Sequence, residues 1–97
     1  MNKVYIAGPI TGHLNYLMNF RNAQKMLESK GYDVVNPAQW FLEESEVWTY
    51  GEIMGECIKL LANCDAIYML SGWERSSGAY VEWTYAMKNN KEIIYQG

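Results

Sequence analysis

Ala66-Ile67-Tyr68-Met69-Leu70-Ser71-Gly72-Trp73-Glu74-Arg75-Ser76-Ser77-Gly78-Ala79-Tyr80-Val81-Glu82 is the stretch that decides the fold. Its first five residues are almost wholly apolar, as expected for a strand at the centre of a parallel sheet covered on both faces. Ser71 to Ser77 reads as a loop. From Gly78 to Asn90 the residues Ala79, Trp83 and Ala86 share one helical face. Glu92-Ile93-Ile94-Tyr95 then returns to a β-prone run. Strand, helix and strand at these lengths form one right-handed βαβ crossover.

The same alternation extends toward the N-terminus. Lys3-Val4-Tyr5-Ile6-Ala7 is a buried strand that stops at Gly8-Pro9. A helix follows from about Leu14 to Lys30, with Tyr16, Phe20, Ala23 and Leu27 on one face and Gly31 as its C′ residue. Asp33-Val34-Val35-Asn36 is a second strand, ended by Pro37. Gln39 to Tyr50, rich in Trp and Glu, reads as a short helix or a lid-like loop. From Glu52 to Asn63 the set Ile53, Cys57, Leu60 and Leu61 is helical again. The whole predicts one α/β domain over residues 1–97, a three-layer sandwich of the Rossmann or flavodoxin type. Its four-stranded, mostly parallel sheet is expected in the order 2-1-3-4.

Bulk properties narrow the function. A net charge of −3 with eight scattered basic residues opposes nucleic-acid polymers and anionic membranes as partners. No apolar run reaches the roughly 18 residues of a membrane span. The opening residues enter a strand at once and do not read as a signal peptide, so a cytoplasmic location is expected. Cys57 and Cys64, seven residues apart on one helix, have Cα atoms about 10 Å apart, too far for a disulfide. They read as reduced core thiols, and neither a metal nor a cofactor is expected.

In open parallel sheets ligands bind beyond the carboxyl ends of the strands, where the strand order reverses. Here that point lies between the first and third strands, at Gly8-Pro9-Ile10-Thr11-Gly12-His13 and Gly72 to Gly78. Each loop precedes a helix, whose first backbone N–H groups can face an anion. Glu82 lies about one turn into the helix after the second loop. Side chains lean toward a helix N-terminus, so its carboxylate can reach over Gly78 into the crevice; the alternative is a solvent-facing glutamate. His13, the only histidine, reads as a surface or capping residue. Trp73 is either a stacking surface for a base or part of a core or subunit interface.

Tyr5-Ile6-Ala7-Gly8-Pro9, Cys64 to Leu70, and Gly72-Trp73-Glu74-Arg75-Ser76-Ser77-Gly78-Ala79 with Glu82 resemble, over nearly the whole chain, a family of small phage and bacterial proteins of unknown function. That family falls within the nucleoside 2-deoxyribosyltransferase-like superfamily. The resemblance implies that Glu82 attacks C1′ of a nucleoside sugar, expels the base and forms a glycosyl-enzyme, resolved by a second base or by water. It implies that Tyr5 orients that carboxylate or the sugar. By similarity to deoxyribonucleoside-monophosphate N-glycosidases, Ser76, Gly78 and the Gly8-Pro9-Ile10-Thr11-Gly12 loop hold a phosphate, with Thr11 where those enzymes carry arginine. Deoxyribosyltransferases have aspartate in place of Ser76, so a nucleoside 5′-monophosphate is favoured over a free nucleoside. Asn36 and Trp73 complete the expected substrate contacts.

Eight residues before Asp65 the enzymes carry an acidic residue used to protonate the base; here Cys57 stands there, with Glu56 beside it. The chain also closes at Gly97, before the segment that in those enzymes helps complete a neighbour's site. Two expectations follow: an N-glycosidase or deoxyribosyltransferase, or a non-catalytic protein that sequesters or senses a nucleotide. In either case a homo-oligomer, dimer or larger, is expected, since Trp40, Trp48 and Trp73 would otherwise be exposed. A third role, an interface built on Gln39–Tyr50, needs no nucleotide.

Overall fold

The computed structural model describes residues 2–10, 13–38 and 48–97. Four parallel strands, β1 (Lys3–Ala7), β2 (Asp33–Val35), β3 (Ala66–Met69) and β4 (Glu92–Tyr95), lie in the order β2-β1-β3-β4. The two central strands are buried throughout except at Lys3, as their uninterrupted apolar runs require. Among the described residues three helices cover them: α1 (Tyr16–Ser29), α2 (Tyr50–Ala62) and α3 (Ser77–Lys88). A short 3-10 turn, Trp73–Arg75, lies between β3 and α3.

Strand alternation sorts the core into two halves. Val4, Ile6, Ala66, Tyr68 and Leu70 face α1 through Phe20, Ala23 and Leu27. Tyr5, Ala7, Ile67 and Met69 face the other way, onto Ile53, Cys57 and Leu61 of α2 and Ala79 and Ala86 of α3. The chain steps one way from β1 to β2 and the other way afterwards. The covering helix therefore changes faces, and all three crossovers keep one hand.

Local signals set the helix ends. Gly31, at φ +93, lets α1 close in a Schellman motif: its N–H donates to the Glu28 carbonyl and that of Tyr32 to the Leu27 carbonyl. Asn90 does the same for α3 at φ 58, with Lys91 N–H on the Ala86 carbonyl. At the start of α2, Thr49 and Glu52 form a reciprocal capping box. That box begins the helix two residues before the start expected from apolar spacing and puts Tyr50 in its first turn. The Gln39–Tyr50 reading otherwise falls on residues 39–47, outside the described ones, as do Thr11, Gly12 and Trp40.

Two expectations are corrected here. Trp48 and Trp73 are half-buried and packed on the α2–α3 side of the core, rather than exposed. Trp73 sits among Trp83, Tyr80 and Tyr95, with ring centroids 5.1, 6.0 and 6.2 Å away, because the 3-10 turn folds it back over α3. It does not line the cleft described below. No helix among the described residues is long and apolar enough to cross a membrane.

Candidate functional site

Beyond the carboxyl end of β1, between α2 and α3, the described walls enclose a cleft of about 210 Å³. Its floor is Tyr5 and Glu82, and its rim carries Gly8, Pro9 and Ile10 from the segment after β1 and Arg75 to Ala79 from the turn into α3. Ser76 is the N-cap of α3: its Oγ accepts the Ala79 N–H at 3.3 Å, leaving its own O–H free to donate to a ligand. Replacing Ser76 by Ala is expected to cost about 1 kcal/mol of stability, read as a lower urea midpoint at unchanged slope.

Glu82 belongs to the inward stripe of α3, with Ala79 three residues before it and Ala86 four after. A carboxylate fits there because both neighbours are small and Gly78 leaves its approach open. Glu82 is only 6% exposed and is the one buried charged residue among those described. The Tyr5 hydroxyl, at the end of a fully buried side chain, donates to Glu82 Oε2. Burial pushes the Glu82 carboxyl up to about 7, against the pull of hydrogen bonds from Tyr5 and Cys57. Burial and the facing carboxylate likewise raise the Tyr5 phenol well above its ordinary value, so it stays a donor at neutral pH.

Of the residues singled out from sequence, Tyr5, Gly8, Pro9, Ile10, Ser76, Gly78 and Glu82 are brought together in this cleft. Asn36 is not: its Nδ2 donates to Gln24 Oε1 and its Oδ1 accepts the Ala38 N–H, both at 3.0 Å. That side chain is occupied in turning the chain after β2. Glu56, the neighbour of Cys57, pairs with Lys59 at 3.3 Å and does not line the cleft.

Sequence reasoning passed over several lining residues. His13 does reach the cleft, and Arg75, Ser77, Tyr50 and Met54 join it. Tyr50 Oη and Ser77 Oγ lie 3.2 Å apart across its mouth. The Thr49-x-x-Glu52 capping signature was the available signal for Tyr50. For Arg75 it was only adjacency to the N-cap. No cluster of three or more potential metal ligands occurs among the described residues.

The four-stranded parallel sheet in the order 2-1-3-4, covered by helices on both faces, defines the molecule's class by fold. A solved 2-desoxiribosyltransferase from Leishmania mexicana has the same architecture, with a TM-score of 0.73 at 22% identity. The superposition covers 98% of this chain and 63% of that one. Residues 2–95 match the family described as domain of unknown function (DUF4406), and the chain belongs to that family. No curated protein matches it.

Proposed function

We propose that the protein cleaves or exchanges the N-glycosidic bond of a nucleoside or deoxynucleoside 5′-monophosphate, with Glu82 as nucleophile. The observation that carries this reading is a buried carboxylate held by a tyrosine hydroxyl at the floor of a cleft whose mouth is a helix N-terminus. The likeness to a 2-desoxiribosyltransferase supports it at the level of fold.

In this reading ionised Glu82 attacks C1′, the C1′–N bond breaks, and its electron pair leaves with the base. Water or a second base then takes C1′ and frees the carboxylate. Tyr5 acts as a positioning residue, keeping Glu82 Oε2 fixed and its negative charge supported. Ser76, Ser77 and the first N–H groups of α3 receive the phosphate, with the Arg75 guanidinium at the rim supplying the opposite charge. By the resemblance alone, Thr11 and Gly12 are proposed as further phosphate contacts. A cleft of about 210 Å³ suits a sugar phosphate whose base projects outward.

Incubation with a panel of dNMPs and NMPs, followed by chromatography, is expected to show base release from at least one of them and none from the parent nucleosides at equal concentration. Absence of release from the whole panel, or undiminished release by Glu82→Ala, would sink the proposal.

A second reading, a nucleotide-binding protein without turnover, is favoured by one observation: Glu82 is the only carboxylate lining the cleft among the described residues. It predicts that unmodified nucleotide is recovered after heat denaturation and that tight binding survives Glu82→Gln. In either case we propose a cytoplasmic homo-oligomer. Tyr80, Val81, Met87 and Tyr95, each about half exposed, support the oligomer as apolar surface to be covered.

A further inference from the structure

Cys57 stands on the inward stripe of α2, four residues after Ile53 and four before Leu61, and is 6% exposed. Packing alone would explain a thiol there. Its neighbours do not fit that explanation: Cys57 lines the cleft together with Glu82 and Tyr5. Glu82 is among the causes that displace the Cys57 thiol, and Cys57 is among those that act on the Glu82 carboxyl. Three elements, β1, α2 and α3, thus each contribute one protic group to a single buried cluster.

We infer that Cys57 is a positioning residue that donates its S–H to Glu82 and, with Tyr5, holds that carboxylate in its reactive orientation and protonation state. As positioning of a nucleophile, the inference rests on the reading of Glu82 given above; as control of a buried carboxylate, it does not. The chemistry suits a thiol. A second carboxylate beside Glu82 would repel its charge and hinder ionisation, whereas a neutral S–H supports the charge and stays protonated. Burial, together with Glu82, pushes the Cys57 thiol up to about 11, so it is a donor throughout the working range.

The groups facing Glu82 are Tyr5 from β1 and Cys57 from α2, while β3 offers only Ile67 and Met69 on this side. Arg75, His13, Tyr50, Ser76 and Ser77 are the other protic or charged groups among the described cleft walls. None of them is replaced in the test.

The test is direct titration of the Glu82 side-chain carboxyl by carbon NMR in the wild type and in Cys57→Ala, Cys57→Val and Cys57→Ser. Loss of the donor is expected to raise the Glu82 midpoint from about 7 by on the order of one pH unit in Ala and Val, a tenfold weaker acid. Ser, which keeps an O–H, should restore it. A change acting only through packing has the opposite sign, since a cavity that admits water favours the charged form and lowers the midpoint. An unchanged or lowered midpoint in both Ala and Val overturns the inference. Should one of those variants not fold, the other with Ser decides it. The pH profile of kcat/KM for base release should shift in parallel. If the titration moves as expected while no variant, nor the wild type, releases base, Cys57 keeps its role and the glycosidic reading fails instead.

Discussion

Glu82→Gln is expected to abolish base release and at the same time to make the protein more stable above neutral pH. The first effect follows from losing the nucleophile, for which a drop of at least roughly a thousandfold in kcat is the expectation. The second follows from linkage. Glu82 has a folded value of about 7 against an ordinary 4.5, so the fold binds its proton more tightly than the unfolded chain does. Below pH 4.5 the carboxyl is protonated in both states and costs nothing extra. As pH rises from 4.5 to about 7 the unfolded chain releases the proton first, and stability falls; above about 7 the loss is complete. At 1.36 kcal/mol per pH unit this comes to about 3 kcal/mol.

The glutamine side chain of this variant keeps the shape and can accept from Tyr5, but it carries no charge to desolvate. At pH 8 the variant should therefore melt roughly 10–20 °C above the wild type, while at pH 4 the two should nearly coincide. Thermal scans across pH 4 to 8 check this. Equal melting points at pH 8 would mean that Glu82 is not held as a buried carboxylate. The same linkage predicts that kcat/KM rises with pH and levels above about 7, since the ionised form attacks.

The second large effect is expected at Gly8. A Cβ built on this residue would lie 2.7 Å from both Cβ and Cδ1 of Leu70. Leu70 is itself buried, and its N–H donates to the Ala7 carbonyl at 2.8 Å, which ties the ends of β1 and β3 together at the cleft rim. The methyl of Gly8→Ala has no space unless the strands part, so a loss of about 2–3 kcal/mol is expected from overpacking. Leu70→Ala alone should cost about 2–5 kcal/mol through its cavity. Because the two changes act on one volume, the double variant should be clearly more stable than the added single losses imply. Urea unfolding of the three variants measures this; strict additivity would show that Gly8 is not required by contact with Leu70. At Gly78, by contrast, the nearest neighbour is the flexible Met54 thioether at 3.3 Å, so a methyl there should narrow the cleft more than it unfolds the chain.

Much of the architecture was legible in the residues themselves. Apolar runs marked β1 and β3 as central strands, because only strands covered on both faces can be apolar throughout. Gly31 marked the end of α1, because a left-handed C′ residue is what that position needs. Helix geometry made Glu82 a candidate, resemblance to a known family added its role and that of Tyr5, and the fold brings the two into hydrogen-bonding contact although they are 77 residues apart in sequence.

The remainder was decided by tertiary structure. Helical spacing states which face of α3 Glu82 occupies, but not that the facing surface is buried, so its displaced protonation was out of reach. Spacing likewise put Cys57 on the inner face of α2 without saying that Tyr5 and Glu82 meet it there. Asn36 was expected as a substrate contact and Trp73 as either a stacking surface or part of the core; the turn after β2 holds the first, and neighbouring rings pack on the second. Arg75 was not singled out from the sequence, and it is a cleft residue because the 3-10 turn carries it to the N-terminus of α3. The physical reason is common to all of them. Periodicity and turn chemistry act over a few residues and specify faces and boundaries, whereas neighbours across the cleft are set by how β1, α2 and α3 pack.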